Sequence, residues 1–154
     1  MKKLFMMASA MVLAIILMSQ TKKPAGQARP AGAAAAKGGG VAASIARGKI
    51  VYDATCLPCH QADGLGVSNM NPPLVKTKWV LGDKVKLAQI VLKGLPGGQI
   101  EIDGDTFHNP MPAQESVLSD LQIADVLTFI RNNFGNKASA VAVVDVKAAR
   151  AKGK

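Results

Sequence analysis

Two cysteines three positions apart, with a histidine directly after the second, set the terms for this chain: Cys56-Leu57-Pro58-Cys59-His60. The C-x-x-C-H spacing is the attachment signal for a c-type haem. Thiols at that separation reach the two vinyl groups of one porphyrin and form thioethers, and the next residue, His60, then lies over the metal and gives it an imidazole nitrogen. Only two cysteines occur in 154 residues, and their spacing does not suit a framework disulfide. A thioredoxin-like redox pair would sit in a βαβ setting, and no strand pattern precedes Cys56. A structural zinc site needs four ligands. His60 and His108 with the two cysteines supply that number, but 48 residues separate the histidines, unlike any finger.

A bound group of that size would also answer a shortage of packing material. Aromatic residues make up 4% of the chain, and much of the 49% hydrophobic fraction is alanine outside any core pattern. The formal charge of +9 is located at the ends. Residues 1–43 carry six Lys or Arg and no acid; residues 44–140 carry nine of each sign; residues 141–154 carry four basic groups against Asp145. A nucleic-acid binder carries its basic stripe on the folded domain, so the neutral middle excludes nucleic acid as the expected partner.

Residues 1–21 read as a signal peptide or membrane anchor: Met1-Lys2-Lys3, an apolar run from Leu4 to Met18, then polar residues. The run is shorter than the roughly 20 residues a spanning helix prefers. Both readings send the rest of the chain out of the cytoplasm, to the periplasm or the outer face of the cytoplasmic membrane. Residues 22–43, rich in Lys, Pro, Ala and Gly, read as a flexible linker. Residues 137–154 form a basic Ala/Lys tail, and from 141 onward either a frayed helix or a disordered end is open.

Between these ends three helical patterns stand out. The first opens at Ser44 as N-cap and aligns Ile45, Gly48, Val51, Tyr52 and Thr55 on one face. The second opens at Asp83, carries Leu87, Ile90 and Val91, and stops at Gly94. In the third, Ser119 and Gln122 form a capping box ahead of Ile123, Val126, Leu127, Ile130 and Phe134, with Gly135 as the stop. No segment within 44–136 sustains strand alternation. The Gly/Pro-rich loops at 61–78 and 94–118 are long for a compact domain unless they wrap something. The expected fold is therefore all-α: three to five helices whose long loops wrap one covalent haem.

Residues 44–136 resemble a class I mono-haem cytochrome c domain. The resemblance rests on Gly48-Lys49-Ile50-Val51-Tyr52, Cys56 to His60, Asp63-Gly64, Asn71-Pro72-Pro73-Leu74, Asn109-Pro110-Met111-Pro112 and the helix from Leu118 to Asn133, in that order. It implies that the second axial ligand is a methionine sulfur from the loop before the last helix, and Met111 is at that position, 51 residues beyond His60. Pro110 and Pro112 fix φ on both sides of it, and a thioether ligand favours Fe(II) and raises the reduction potential. His108, as the only other imidazole, and Met70 are the rival ligands. The resemblance further implies that a proline carbonyl about a dozen residues on accepts the His60 N–H, which gives Pro72 first and Pro73 second. It implies a close crossing of the first and last helices at Gly48, with Phe129 and Tyr52 in the contact. Trp79 is either a hydrogen-bond donor to a haem propionate or a core tryptophan.

The expected function is one-electron transfer by a non-enzymatic carrier between exported or membrane redox proteins: a dehydrogenase, an oxidase or a membrane complex. A haem enzyme or gas sensor with an open sixth iron position is the alternative, and a subunit of a larger quinoprotein or oxidase assembly is a third reading. Lys76, Lys78, Lys84 and Lys86 on one side, and Glu101, Asp103 and Asp105 on the other, are candidates for steering a partner; an ordinary solvated face is the plain alternative.

Overall fold

The computed structural model describes residues 39–152, so the expected leader and most of the expected linker lie outside the described residues. Five helical stretches pack around one apolar core, with a small hairpin between the third and the fourth. The first stretch runs unbroken from Val41 to His60. It is α1 (Val41–Val51), a wide π turn over Tyr52–Cys56, and the short α2 (Leu57–His60). Then follow α3 (Lys78–Leu81), α4 (Lys84–Lys93), strands β1 (Ile100–Ile102) and β2 (Asp105–Phe107), α5 (Asp120–Arg131) and α6 (Val143–Lys152).

Caps and stops explain most of these boundaries. Thr77, Asp83 and Ser119 each accept a backbone N–H with the side chain at the start of α3, α4 and α5, and Ser119 with Gln122 completes the capping box. Gly94 ends α4 at φ +69, where its Hα faces the backbone of Met111 to Ala113 and a side chain would not fit. The Ser44 cap is a correction. Helix α1 begins at Val41 after Gly40, and the Ser44 hydroxyl instead donates to Asp125 at 2.6 Å. Helix α5 ends at Arg131, so Phe134 lies beyond it in a left-handed turn at φ +55.

The crossing of α1 and α5 organises the core. Gly48 lies against the Asp125 carbonyl and the Phe129 Cβ, leaving no room for a methyl. Beside it the buried Asp125 carboxylate accepts two bonds from Arg47, at 2.6 and 2.7 Å. Tyr52, Phe129 and Phe134 form a three-ring cluster with centroids 5.3–5.6 Å apart. The Tyr52 hydroxyl donates to the Gln61 carbonyl, tying the cluster to the chain just after the haem motif.

One element differs from the sequence expectation, and a second takes one of the two forms expected of it. The 94–118 loop contains an antiparallel hairpin that pairs Ile100 with Phe107 and turns at Asp103-Gly104, both at positive φ. The segment after 141, left open between helix and disorder, is helix α6 packed on α4 and α5 with Val141, Val146 and Ala149 buried. Thr128 exchanges two hydrogen bonds with the Val141 backbone, and Arg150 pairs with Asp120 at 2.6 Å. Among the described residues no helix is long and apolar enough to cross a membrane.

Candidate functional site

The π turn, helices α2 to α5, the hairpin and the loops between them line one apolar cleft that is partly open to solvent. Its floor is Val126, Leu127 and Ile130 of α5; its sides are Leu87, Ile90 and Val91 of α4, and Ile100 and Ile102 of the hairpin. No Lys, Arg, Asp or Glu lies on the lining. Such a wall suits a large flat apolar group.

The candidate residues converge there. Cys56, Cys59, His60, Pro72, Pro73, Trp79 and Met111 all line this cleft. The π turn and α2 bring the motif to the wall, with Cys56 half-buried and Cys59 exposed and no disulfide between them. Burial, then the neighbouring Cys59, pushes the Cys56 thiol up to about 11. Trp79 sits at the cleft edge with 37% of its surface exposed. His108 and Met70, the rival ligands, are exposed and absent from the lining. With His108 elsewhere, the four-ligand zinc arrangement does not assemble, and among the described residues no group of three His, Cys, Asp or Glu could hold a metal.

The His60 Nδ1 lies 3.0 Å from the Pro72 carbonyl. A carbonyl only accepts, so Nδ1 carries the proton and Nε2 keeps its lone pair for a metal. Burial lowers the His60 pKa, outweighing the opposite effect of the Pro72 bond, and so keeps the ring neutral. Met111 is fixed through its backbone, which pairs with Leu95 by two bonds of 2.9 and 3.3 Å. The donor set therefore fits a haem: two thiols at vinyl spacing, a neutral imidazole and a thioether, all on an apolar wall.

Two cleft residues were named in the sequence without a role. The Asn109 amide donates to the Asn71 side-chain oxygen at 3.2 Å. Neutral amides carry no charge pattern, so the only trace in the sequence was that each precedes a Pro in a loop.

Comparison with known proteins identifies the family. The family model cytochrome c matches residues 45–134. The chain is 35% identical over 108 residues to the cytochrome c subunit of the quinone alcohol dehydrogenase of Gluconobacter oxydans, covering 69% of this chain and 22% of that one. It is 38% identical over 108 residues to the gluconate 2-dehydrogenase cytochrome c subunit of Pantoea cypripedii, 67% and 24% of the two chains. It is 35% identical over 102 residues to cytochrome c-552 of Thermus thermophilus, 64% and 67%. The match thus spans about a quarter of the two dehydrogenase subunits and two thirds of the small cytochrome. Because the family match runs from within α1 to just past α5 and covers more than half of the chain, the chain belongs to the cytochrome c family and its cofactor is a covalently attached haem c.

Proposed function

We propose that this domain is a one-electron carrier whose haem is held by Cys56 and Cys59 through thioethers and by His60 and Met111 as axial ligands. The observation that carries the reading is one apolar cleft lined by both cysteines, His60 and Met111, from which His108 and Met70 are absent. When bound, the haem supplies reversible one-electron chemistry at its iron.

The protein's part is to hold that chemistry still. The Nδ1–H of His60, donated to Pro72, fixes the ring orientation and raises the basicity of Nε2. Pro110, Pro112 and the Leu95 pairing restrict the Met111 loop, which would limit movement of the sulfur when the oxidation state changes. The apolar walls exclude water. Trp79, at the rim, is suited to give its indole N–H to a propionate. The named relatives are cytochrome subunits and a small cytochrome, which supports a carrier with no enzymatic activity of its own.

The named relatives support redox enzymes as partners, in particular a dehydrogenase or oxidase that delivers or takes single electrons. Residues 1–21 support a position outside the cytoplasm, in the periplasm or tethered to the membrane.

Absorption spectra of the oxidised and reduced protein test the ligand set. A weak far-red sulfur-to-iron band is expected in the oxidised protein, and in Met111→Ala it should vanish while the haem stays covalently attached. Rapid, tight carbon monoxide binding to the reduced wild-type protein at neutral pH would overturn the carrier reading in favour of an open iron site.

A further inference from the structure

The loop that carries Met111 is held from two directions. On one side the Met111 backbone pairs with Leu95 at the end of α4. On the other, the residues just before it are zipped to the loop that follows His60. The His108 N–H donates to the Asn69 carbonyl at 3.2 Å, the Asn109 N–H to the Met70 carbonyl at 3.0 Å, and the Asn109 amide to the Asn71 side-chain oxygen at 3.2 Å.

Asn71 is itself firmly based. Its backbone exchanges two bonds with Val67, at 2.8 and 2.9 Å, and its carbonyl packs on Gly66 so closely that a Cβ there would collide. It also immediately precedes Pro72, whose carbonyl holds His60. One side-chain bond therefore links the residue next to the His60 anchor with the residue two before Met111, and both asparagines line the cleft.

We propose that the Asn71–Asn109 bond is a latch that keeps Met111 in its ligating position, making both asparagines positioning residues for the sixth ligand. This rests on Met111 being that ligand. Asn109 donates and Asn71 accepts. Either amide can turn over and reverse those roles, so a carboxylate at one position is still met by the other amide, and the latch is broken by removing a side chain rather than by charging it. Asn109→Ala and Asn71→Ala each do so, whereas Asn71→Asp keeps an acceptor facing the Asn109 amide.

The experiment uses the mature holoprotein and reads two quantities: the pH at which the far-red sulfur-to-iron band is lost, and the rate of carbon monoxide capture by the reduced form. In Asn109→Ala the band is expected to fail at lower pH and capture to rise roughly three- to tenfold, the equilibrium worth of one partly buried neutral hydrogen bond. Asn71→Asp should stay near wild type. Should Asn109→Ala fail to mature, Asn71→Ala removes the acceptor instead and is expected to show the same rise. If wild type shows the band and Met111→Ala loses it, while Asn109→Ala and Asn71→Ala leave both readouts unchanged, the latch is refuted and the Met111 reading stands. If wild type lacks the band, the ligand reading itself has failed and the latch falls with it.

Discussion

At the scale of single residues, Gly48 shows how little freedom the helix crossing allows. A methyl there meets the Asp125 carbonyl. Helix α1 cannot slide away to make room, because Arg47 and Ser44 hold the Asp125 carboxylate from the same helix. Gly48→Ala is expected to cost about 1–3 kcal/mol, the usual penalty for overpacking, seen as a lower denaturation midpoint at unchanged slope. The crossing was legible in the sequence, as were the cleft positions of the two cysteines, His60, Met111 and Pro72. The cysteines and His60 were read from a motif whose chemistry demands one residue type at one spacing, and the crossing, Met111 and Pro72 from the family resemblance that surrounds it. Asp125 was not legible: a carboxylate amid the buried face of α5 is meaningful only beside Arg47, 78 residues away.

At the scale of elements, legibility followed the caps. Helices α4 and α5 announce themselves by Asp83, Gly94 and the Ser119–Gln122 box, and each begins where expected. Helix α1 starts early because its first turn is alanine-rich and needs no side-chain cap to form. The hairpin had a sequence signal: Asp103-Gly104 between alternating Ile100, Ile102 and Phe107 is a strong turn dipeptide. Its strands are only three residues long, too short for alternation to register. Helix α6 is specified by distant partners rather than by its own pattern, and those partners make it testable. Burial works against the Asp145 carboxylate, but the Ala142 N–H and the Lys84 ammonium 3.0 Å away outweigh it and hold its pKa below the usual 3.8. A carboxylate so depressed stabilises the fold at neutral pH, and that contribution is lost as pH falls through the folded value. Acidification below about pH 4 should therefore loosen α6, followed by methyl signals of Val146, and Asp145→Asn should remove this part of the pH dependence. Ending the chain after Ala140 strips Thr128 and Val141 of each other and is expected to cost about 3 kcal/mol or more, with haem attachment retained and the melting temperature lowered.

For the molecule as a whole, charge is arranged rather than accumulated. The acidic residues Glu101, Asp103 and Asp105 are exposed on the hairpin. Lys78 and Lys86 flank Trp79 at the cleft rim, and neither forms an ion pair among the described residues. Lys84, grouped with them in the sequence, is instead committed to Asp145. A small anionic oxidant such as ferricyanide should therefore feel the rim. Replacing Lys78 and Lys86 together by Glu is expected to slow stopped-flow oxidation several-fold at low salt. The difference should shrink near 0.1 M salt, where the screening length is about 10 Å. This division of the lysines was not legible in the sequence, where all four look equally free.

The buried guanidinium of Arg131, at the end of α5, donates to the carbonyls of Val80, Gly82 and Ser139, joining the last turn of that helix to the residues around α3. A four-residue helix left to itself would flicker open, and its amides would trade deuterium within moments. Tied to α5 through a cation that cannot be left without acceptors, Leu81 and Gly82 should exchange almost as slowly as α5 itself. The rim beside Trp79 would then breathe no faster than the floor beneath it.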